Sequence, residues 1–142
     1  NSEAGDFGVL ICYESTFPYQ SRHYVLNGAG FLVNITNDGW FNSQRGPIQH
    51  SETAVTRAVE NGVYMLRSAN TGVSMYIDPA GRVVRKLGLN EEGIIYCGIR
   101  EPDGLTFYTR HGNLVFYVLA VLSLACAVLH RPVLSRFRRR ER

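Results

Sequence analysis

The stretch Gly8–Pro18, GVLICYESTFP, decides how the rest of the chain is read. Gly8, Val9, Leu10 and Ile11 form a short apolar run of strand type, and the Ser15, Thr16 and Pro18 that follow are residues that turn a chain into a helix. Cys12 therefore stands at a strand-to-helix junction. A thiol placed there faces unpaired backbone N–H groups that favour the thiolate, and the N–H of Tyr13 is available to an oxyanion. These features make Cys12 the candidate nucleophile, with a buried structural cysteine as the plain alternative. Glu14 is near enough to join a polar network. A tight turn can aim its side chain away from Cys12, so it reads as a cap or solvated charge before it reads as a base.

Working outward, the pattern is α/β. Phe7–Ile11 and Phe31–Thr36 are strand-like with a helix-compatible Tyr19–Leu26 between them, a β-α-β order. The spacing predicts a helix over Pro47–Asn61, with proline in the first turn, Ile48, Val55 and Val59 at near-helical intervals, and Gly62 as the stop. Strand-like segments follow at Val63–Ser68, Val73–Ile77, Arg82–Leu87 and Ile94–Ile99, and Asp78-Pro79-Ala80-Gly81 signals a hairpin turn.

The 142 residues suffice for one domain with a real core, and the net charge is only +3. Its distribution is uneven. Residues 131–142 hold six arginines against Glu141, a charge of +5 that leaves −2 for everything before them. The globular part is thus no nucleic-acid binder on charge grounds. Cys12, Cys97 and Cys126 fit no zinc or redox spacing, and their odd number argues against a disulfide scaffold. No metal or cofactor is expected, and Cys97 and Cys126 read as structural.

Leu114–Leu129, LVFYVLAVLSLACAVL, carries no charge, glycine or proline. It is bounded by Arg110 and His111 before and by His130 and Arg131 after. The uncharged window beginning at Gly112 matches the length of a membrane-spanning helix. Phe107, Tyr108, Phe116 and Tyr117 cluster near one end and arginines at the other, which favours a span over a buried core helix. The arginine excess assigns the tail to the cytoplasmic side and residues 1–110 to the opposite face.

A second constellation lies at residues 31–50, FLVNITNDGWFNSQRGPIQH. Asn37-Asp38-Gly39 reads as a turn, and Trp40 and Phe41 fall in a loop, where they either contact lipid or acyl chain or cap the core. His23, His50 and His111 are the histidines that a Cys–His pair would draw on, with Asn37 as an orienting group, but no local spacing supports that pairing.

Together these residues resemble the carbon–nitrogen hydrolase (nitrilase) superfamily. Cys12-Tyr13-Glu14 after an apolar strand looks like its nucleophile segment. Asn34–Phe41, Pro47, Gln49-His50, Arg57–Asn61 and Arg67–Ser74 look like the apolipoprotein N-acyltransferase branch in particular. The resemblance runs from about Gly8 to the apolar segment. It implies the later part of an α-β-β-α sandwich at 1–110, a transmembrane helix at 112–130 and a basic cytoplasmic tail at 131–142. It further implies a domain held on the periplasmic face of a bacterial inner membrane, multi-pass in its parent. The implied chemistry is a Glu–Lys–Cys triad that moves an acyl chain from a phospholipid, through a thioester, to a diacylglyceryl-apolipoprotein amine.

Carried across residue by residue, Cys12 is the nucleophile, Tyr13 and Glu14 are essential flanking positions, and Asn37, Trp40 and Phe41 are candidates for substrate contact. In the family the base and the lysine precede the cysteine segment, and this chain begins shortly before Cys12. It is therefore expected to be a piece of a larger protein and inactive by itself, because an unassisted thiol is mostly protonated at neutral pH. Two other readings stand beside this one: a membrane-anchored amidase with water as acceptor, and a non-catalytic anchored module.

Overall fold

The computed structural model describes residues 5–138, with side chains throughout except at 129 and 131–138. It divides into two units, Asn1–Gly112 and Asn113–Arg142. In the first unit β1 (Phe7–Ile11) leads through a 3₁₀ turn (Cys12–Thr16) into α1 (Pro18–Leu26). Then come β2 (Phe31–Thr36), α2 (Arg45–Asn61), β3 (Tyr64–Ala69), β4 (Ser74–Ile77), β5 (Val83–Leu87) and α3 (Phe107–His111). The strands form one five-stranded sheet in the order β1-β2-β3-β4-β5. β1, β2 and β3 are parallel, with α1 and α2 as crossovers, while β4 and β5 return antiparallel.

Alternation along the strands sorts the two sheet faces. Leu10, Leu32, Met65, Met75 and Ile77 are buried against Val25 of α1 and Ala54 and Ala58 of α2. Phe7, Ile11 and Ile35 point to the other face and are exposed, with Val9 and Val33 half-buried among them. The described residues thus supply one helical layer and one sheet of the expected sandwich.

Of the apolar positions that marked the α2 helix, only Val55 packs against the core. Ile48 and Val59 are exposed, whereas Pro47, His50, Ser51, Ala54, Arg57, Ala58 and Asn61 form the buried stripe. Small residues let the helix approach the sheet closely, and the polar ones bond the Cys12–Thr16 turn, the Asp38 loop, α3 and the helix's own carbonyls. Its predicted stop is observed: Gly62 adopts φ 65° and its N–H donates to the Ala58 carbonyl at 2.8 Å.

Ile94–Ile99, expected as a strand, has no regular structure. Ile95 is half-buried and lines a cavity with Cys97, Val33, Leu66 and Tyr76, while Ile94, Tyr96 and Cys97 itself are exposed. The Tyr76 hydroxyl donates to the Gly98 carbonyl. The segment crosses the sheet face instead of joining an edge, so its side chains find a partner surface and its backbone finds no ladder. Cys97 accordingly does not sit on a strand.

The second unit is α4 (Leu114–Arg138), which runs past residue 130, the expected end of the transmembrane helix. Its described side chains are exposed, including Leu114, Phe116, Leu119, Leu122, Leu124 and Val128. Among the described residues no helix is long and apolar enough to cross a membrane. Residues 139–142 of the predicted tail lie outside the described residues, as do the side chains of 131–138.

The hairpin between β4 and β5 turns as expected at Asp78–Gly81. The Asp78 carboxylate accepts from the N–H groups of Ala80 (3.0 Å) and Arg82 (2.9 Å) and pairs with the Arg82 guanidinium at 2.6 Å. Burial pushes this carboxyl up, but the bonds from Arg82 and Ala80 outweigh it and hold it below its usual range. A depressed carboxyl stabilises the fold above its unfolded pKa and loses that contribution as pH falls through the folded value. Asp78→Ala is expected to cost about 1–2 kcal/mol at neutral pH, discounted for the exposed Arg82. Paired denaturation curves of wild type and variant, taken at neutral pH and at about pH 2, should converge in acid.

Candidate active site

The chain leaves β1 at Ile11 and enters the 3₁₀ turn at Cys12, whose φ is +51°. A residue with a Cβ in the left-handed region costs about 1–3 kcal/mol and persists only where its surroundings over-determine it. The surroundings here are specific. The Cys12 carbonyl receives three side chains: Asn34 Nδ2 at 3.2 Å, His50 Nε2 at 3.2 Å and Ser15 Oγ at 3.3 Å. Asn34 also donates to the Leu10 carbonyl at 2.9 Å, so one amide spans the end of β1 and the start of the turn.

Behind these groups lies a buried charged network. The Arg67 guanidinium donates to Asp38 Oδ2 at 2.8 Å, to the Asn34 side-chain carbonyl, and through Nε to the Val73 carbonyl at 3.2 Å. Asp38 Oδ1 accepts from His50 Nδ1 at 2.9 Å and from the Thr36 hydroxyl at 3.0 Å. The Arg67 and Asp38 side chains have no exposed surface. Burial lowers the Arg67 pKa, while the charge of Asp38 and its hydrogen bond, and then the nearby Cys12, push it back up. Gly72 closes the network from the β3–β4 loop. A Cβ there would lie 2.1 Å from Asp38 Oδ2, so the backbone approaches the carboxylate as only glycine permits.

The other sequence-predicted residues ring this turn. Tyr13 is exposed, with its ring 6.1 Å from that of Phe17 and 5.7 Å from His50. Glu14 is the cap that one reading allowed: its Oε2 accepts the Ile11 N–H at 2.7 Å. The Asn37 side chain closes its own turn by accepting from the Gly39 N–H at 3.0 Å. Trp40 is exposed and stacks on Phe41 at 4.0 Å, and Phe41 reaches back toward His50 with its ring 6.0 Å away.

The α-helix begins only at Pro18, so Cys12 opens a five-residue 3₁₀ turn and not a helix. Of the histidines, His50 alone bonds to Cys12, at its carbonyl, and Asp38 rather than Asn37 orients the ring. The sequence reading passed over Asn34, Asp38 and Arg67 as site residues. Their signal was available: Asn34 and Arg67 occupy inward positions of otherwise apolar strands, where a polar side chain must have a built partner.

These observations fit what comparison with known proteins finds. The model of the carbon-nitrogen hydrolase family matches residues 1–103. The chain belongs to that family. The carbon–nitrogen hydrolase fold is also found in solved structures. A carbon-nitrogen hydrolase of Helicobacter pylori G27 superposes with a TM-score of 0.58 at 18% identity, over 63% of this chain and 39% of that one. Saccharomyces cerevisiae Nit3, a nitrilase-superfamily member, gives 0.53 at 31% identity, over 61% of this chain and 34% of Nit3.

Curated relatives named apolipoprotein N-acyltransferase are more similar in sequence. That of Rhodopseudomonas palustris is 44% identical over 122 residues, covering 86% of this chain and 23% of the relative. That of Bradyrhizobium diazoefficiens is 45% identical over 124 residues, covering 86% and 22%. The chain therefore spans under a quarter of these two relatives' length.

The buried pair allows a direct test of the site's architecture. Arg67→Ala strands the Asp38 carboxylate without solvent and is expected to destabilise the fold by about 3–5 kcal/mol in a denaturant titration.

Proposed function

We propose that this chain is the nucleophile-bearing part of an apolipoprotein N-acyltransferase. The observation that carries the reading is Cys12 at φ +51°, lifted off the end of β1 by a built polar clamp, in a chain 44% identical to an enzyme of that name. Observed backbone strain at a nucleophilic side chain is a reason to assign function there.

In the proposed reaction the Cys12 thiolate attacks the ester carbonyl of a phospholipid acyl chain. The C–S bond forms, the C–O bond breaks, and the lysophospholipid leaves as an alcohol after taking a proton. The α-amino group of a diacylglyceryl-cysteine at a lipoprotein N-terminus then attacks the thioester. A C–N bond replaces the C–S bond, the amine proton passes to a base, and the thiolate is restored. A thioester suits this relay because it stays reactive toward an amine. Trp40, Phe41 and the exposed Tyr13 and Phe17 supply an aromatic rim for the acyl chain.

Among the described residues we assign no base to the thiol. Glu14 is engaged at the Ile11 amide, and Lys86, the chain's single lysine, lies on β5 at the sheet edge opposite β1. The Glu and Lys of the proposed triad are assigned to sequence preceding this chain, and the chain alone is proposed to be inactive.

We assign α4 to the bilayer. Its support is the uncharged run Leu114–Leu129, whose described large apolar side chains are all exposed and call for an apolar environment. The arginine-rich residues 131–142 then face the cytoplasm and the catalytic domain the periplasm. Such placement spares the acyl chain the cost of transfer to water, about 0.8 kcal/mol per CH₂.

The test uses the full-length protein containing this chain, in lipid, with a phospholipid whose acyl chain carries a tag. A hydroxylamine-labile adduct on the Cys12 peptide, transferable to a lipopeptide amine and absent in Cys12→Ser, is the expected result. Ammonia release from small amides without such an adduct would instead establish an amidase. Neither activity in folded protein would leave a binding module.

A further inference from the structure

The clamp on Cys12 includes a histidine that the acyl-transfer chemistry does not use. His50 comes from the second turn of α2, is buried, and lies with one ring nitrogen on each side of a bridge. Nδ1 meets Asp38 Oδ1 at 2.9 Å and Nε2 meets the Cys12 carbonyl at 3.2 Å. Asp38 is in turn held by Arg67 and Thr36, and Ser15 Oγ stands 3.4 Å from Nε2. The rings of Tyr13 and Phe41 stand 5.7 and 6.0 Å from the imidazole. Water is excluded, so the ring cannot exchange its protein partners for solvent.

We propose that His50, oriented by the Asp38–Arg67 pair, is a positioning residue that fixes the Cys12 carbonyl and thereby aims the thiol at the acyl donor. The inference rests on the acyltransferase reading above and adds a role to it. The chain of cause is geometric. With the carbonyl of Cys12 held by Asn34 and His50, rotation about the Cys12 backbone is blocked and the left-handed conformation is the one that remains. Aim follows, because a side chain's direction is fixed by its backbone φ and ψ. The hydrogen bond goes to the backbone carbonyl and not to sulfur, so His50 is not a general base in this scheme. Asp38 holds the imidazole by one nitrogen, as a carboxylate does in a Ser-His-Asp arrangement. Here the other nitrogen must donate as well, to a backbone carbonyl, so the bridge is made by the ring with an N–H on both nitrogens.

The role is tested in the full-length protein with His50→Leu, His50→Gln and Asp38→Asn, each compared with wild type in melting temperature. Three quantities are read: the single-turnover rate of thioester formation from a tagged phospholipid, the half-saturating phospholipid concentration, and the rate of Cys12 alkylation by iodoacetamide. For His50→Leu the thioester rate should fall about a hundredfold while half-saturation stays within about twofold, since misaim affects the reacting geometry and not the binding of lipid. His50→Gln, which keeps an N–H donor, should recover part of the loss, and alkylation should follow the same order.

A folded His50→Leu protein with the wild-type rate overturns the proposal, as does a loss in which half-saturation moves together with rate. Where His50→Leu melts early, Asp38→Asn keeps the side chain's shape and decides by the same readouts, a wild-type rate overturning the proposal. If wild type itself forms no thioester, the acyltransferase reading fails and alkylation alone decides. An ordered loss across the variants then keeps the positioning role without acyl transfer, and equal alkylation removes it.

Discussion

The charge pair between Arg67 and Asp38 is the constraint around which the first unit is arranged. Two ions with no exposed surface are tolerable only when their remaining hydrogen-bonding groups are also met. The guanidinium therefore requires the Asn34 side chain and the Val73 carbonyl, and the carboxylate requires Thr36 and His50. Those partners come from β2, α2 and the segment leading into β4, so one ion pair ties together elements far apart in sequence. A pair of this kind contributes little net stability compared with an apolar replacement. Its effect is exclusion: sliding β3 by one residue along β2 would turn Arg67 to the opposite face and leave the buried Asp38 carboxylate without its guanidinium.

The same constraint explains the face that α2 turns inward. A helix seeking only apolar contact would bury Ile48, Val55 and Val59. This one buries His50, Ser51, Ala54, Arg57, Ala58 and Asn61: the alanines pack on the sheet, while the polar side chains bond the Cys12 turn, the Asp38 loop, α3 and the helix's own carbonyls. Arg57 extends the pattern, reaching the Thr16 carbonyl at 3.4 Å and Glu60 at 3.1 Å. Ser15, between the nucleophile turn and the helix, meets the Thr53 hydroxyl at 3.2 Å. The turn carrying Cys12 is thus seated on polar contacts, which are directional, and not on apolar packing, which is not.

Much of this fold was legible along the chain. The strands at Phe7–Ile11 and Phe31–Thr36, the hairpin turn at Asp78–Gly81 and the Gly62 stop are local features, set by short-range preferences that the sequence displays directly. Ile94–Ile99 misled because a strand-like apolar stretch says nothing of whether a neighbouring strand is present to pair with it. The candidate site was legible at Cys12, where a reactive side chain ends an apolar run. It was illegible at Asp38, His50 and Arg67, whose roles exist only after three elements meet. Periodicity could place Arg67 inward but could not name its partner across 29 residues of sequence.

The sheet has a second side. Phe7, Ile11 and Ile35 stand exposed there beside Val9 and Val33, on strands hydrogen-bonded into the core of the unit. Each square ångström of apolar surface left in water is worth about 25 cal/mol to whatever covers it. The stability of these residues is therefore not a property of the chain at fixed value. It depends on what covers them: a second sheet of the same polypeptide stabilises them independently of concentration, whereas a second copy would make the melting temperature climb with protein concentration.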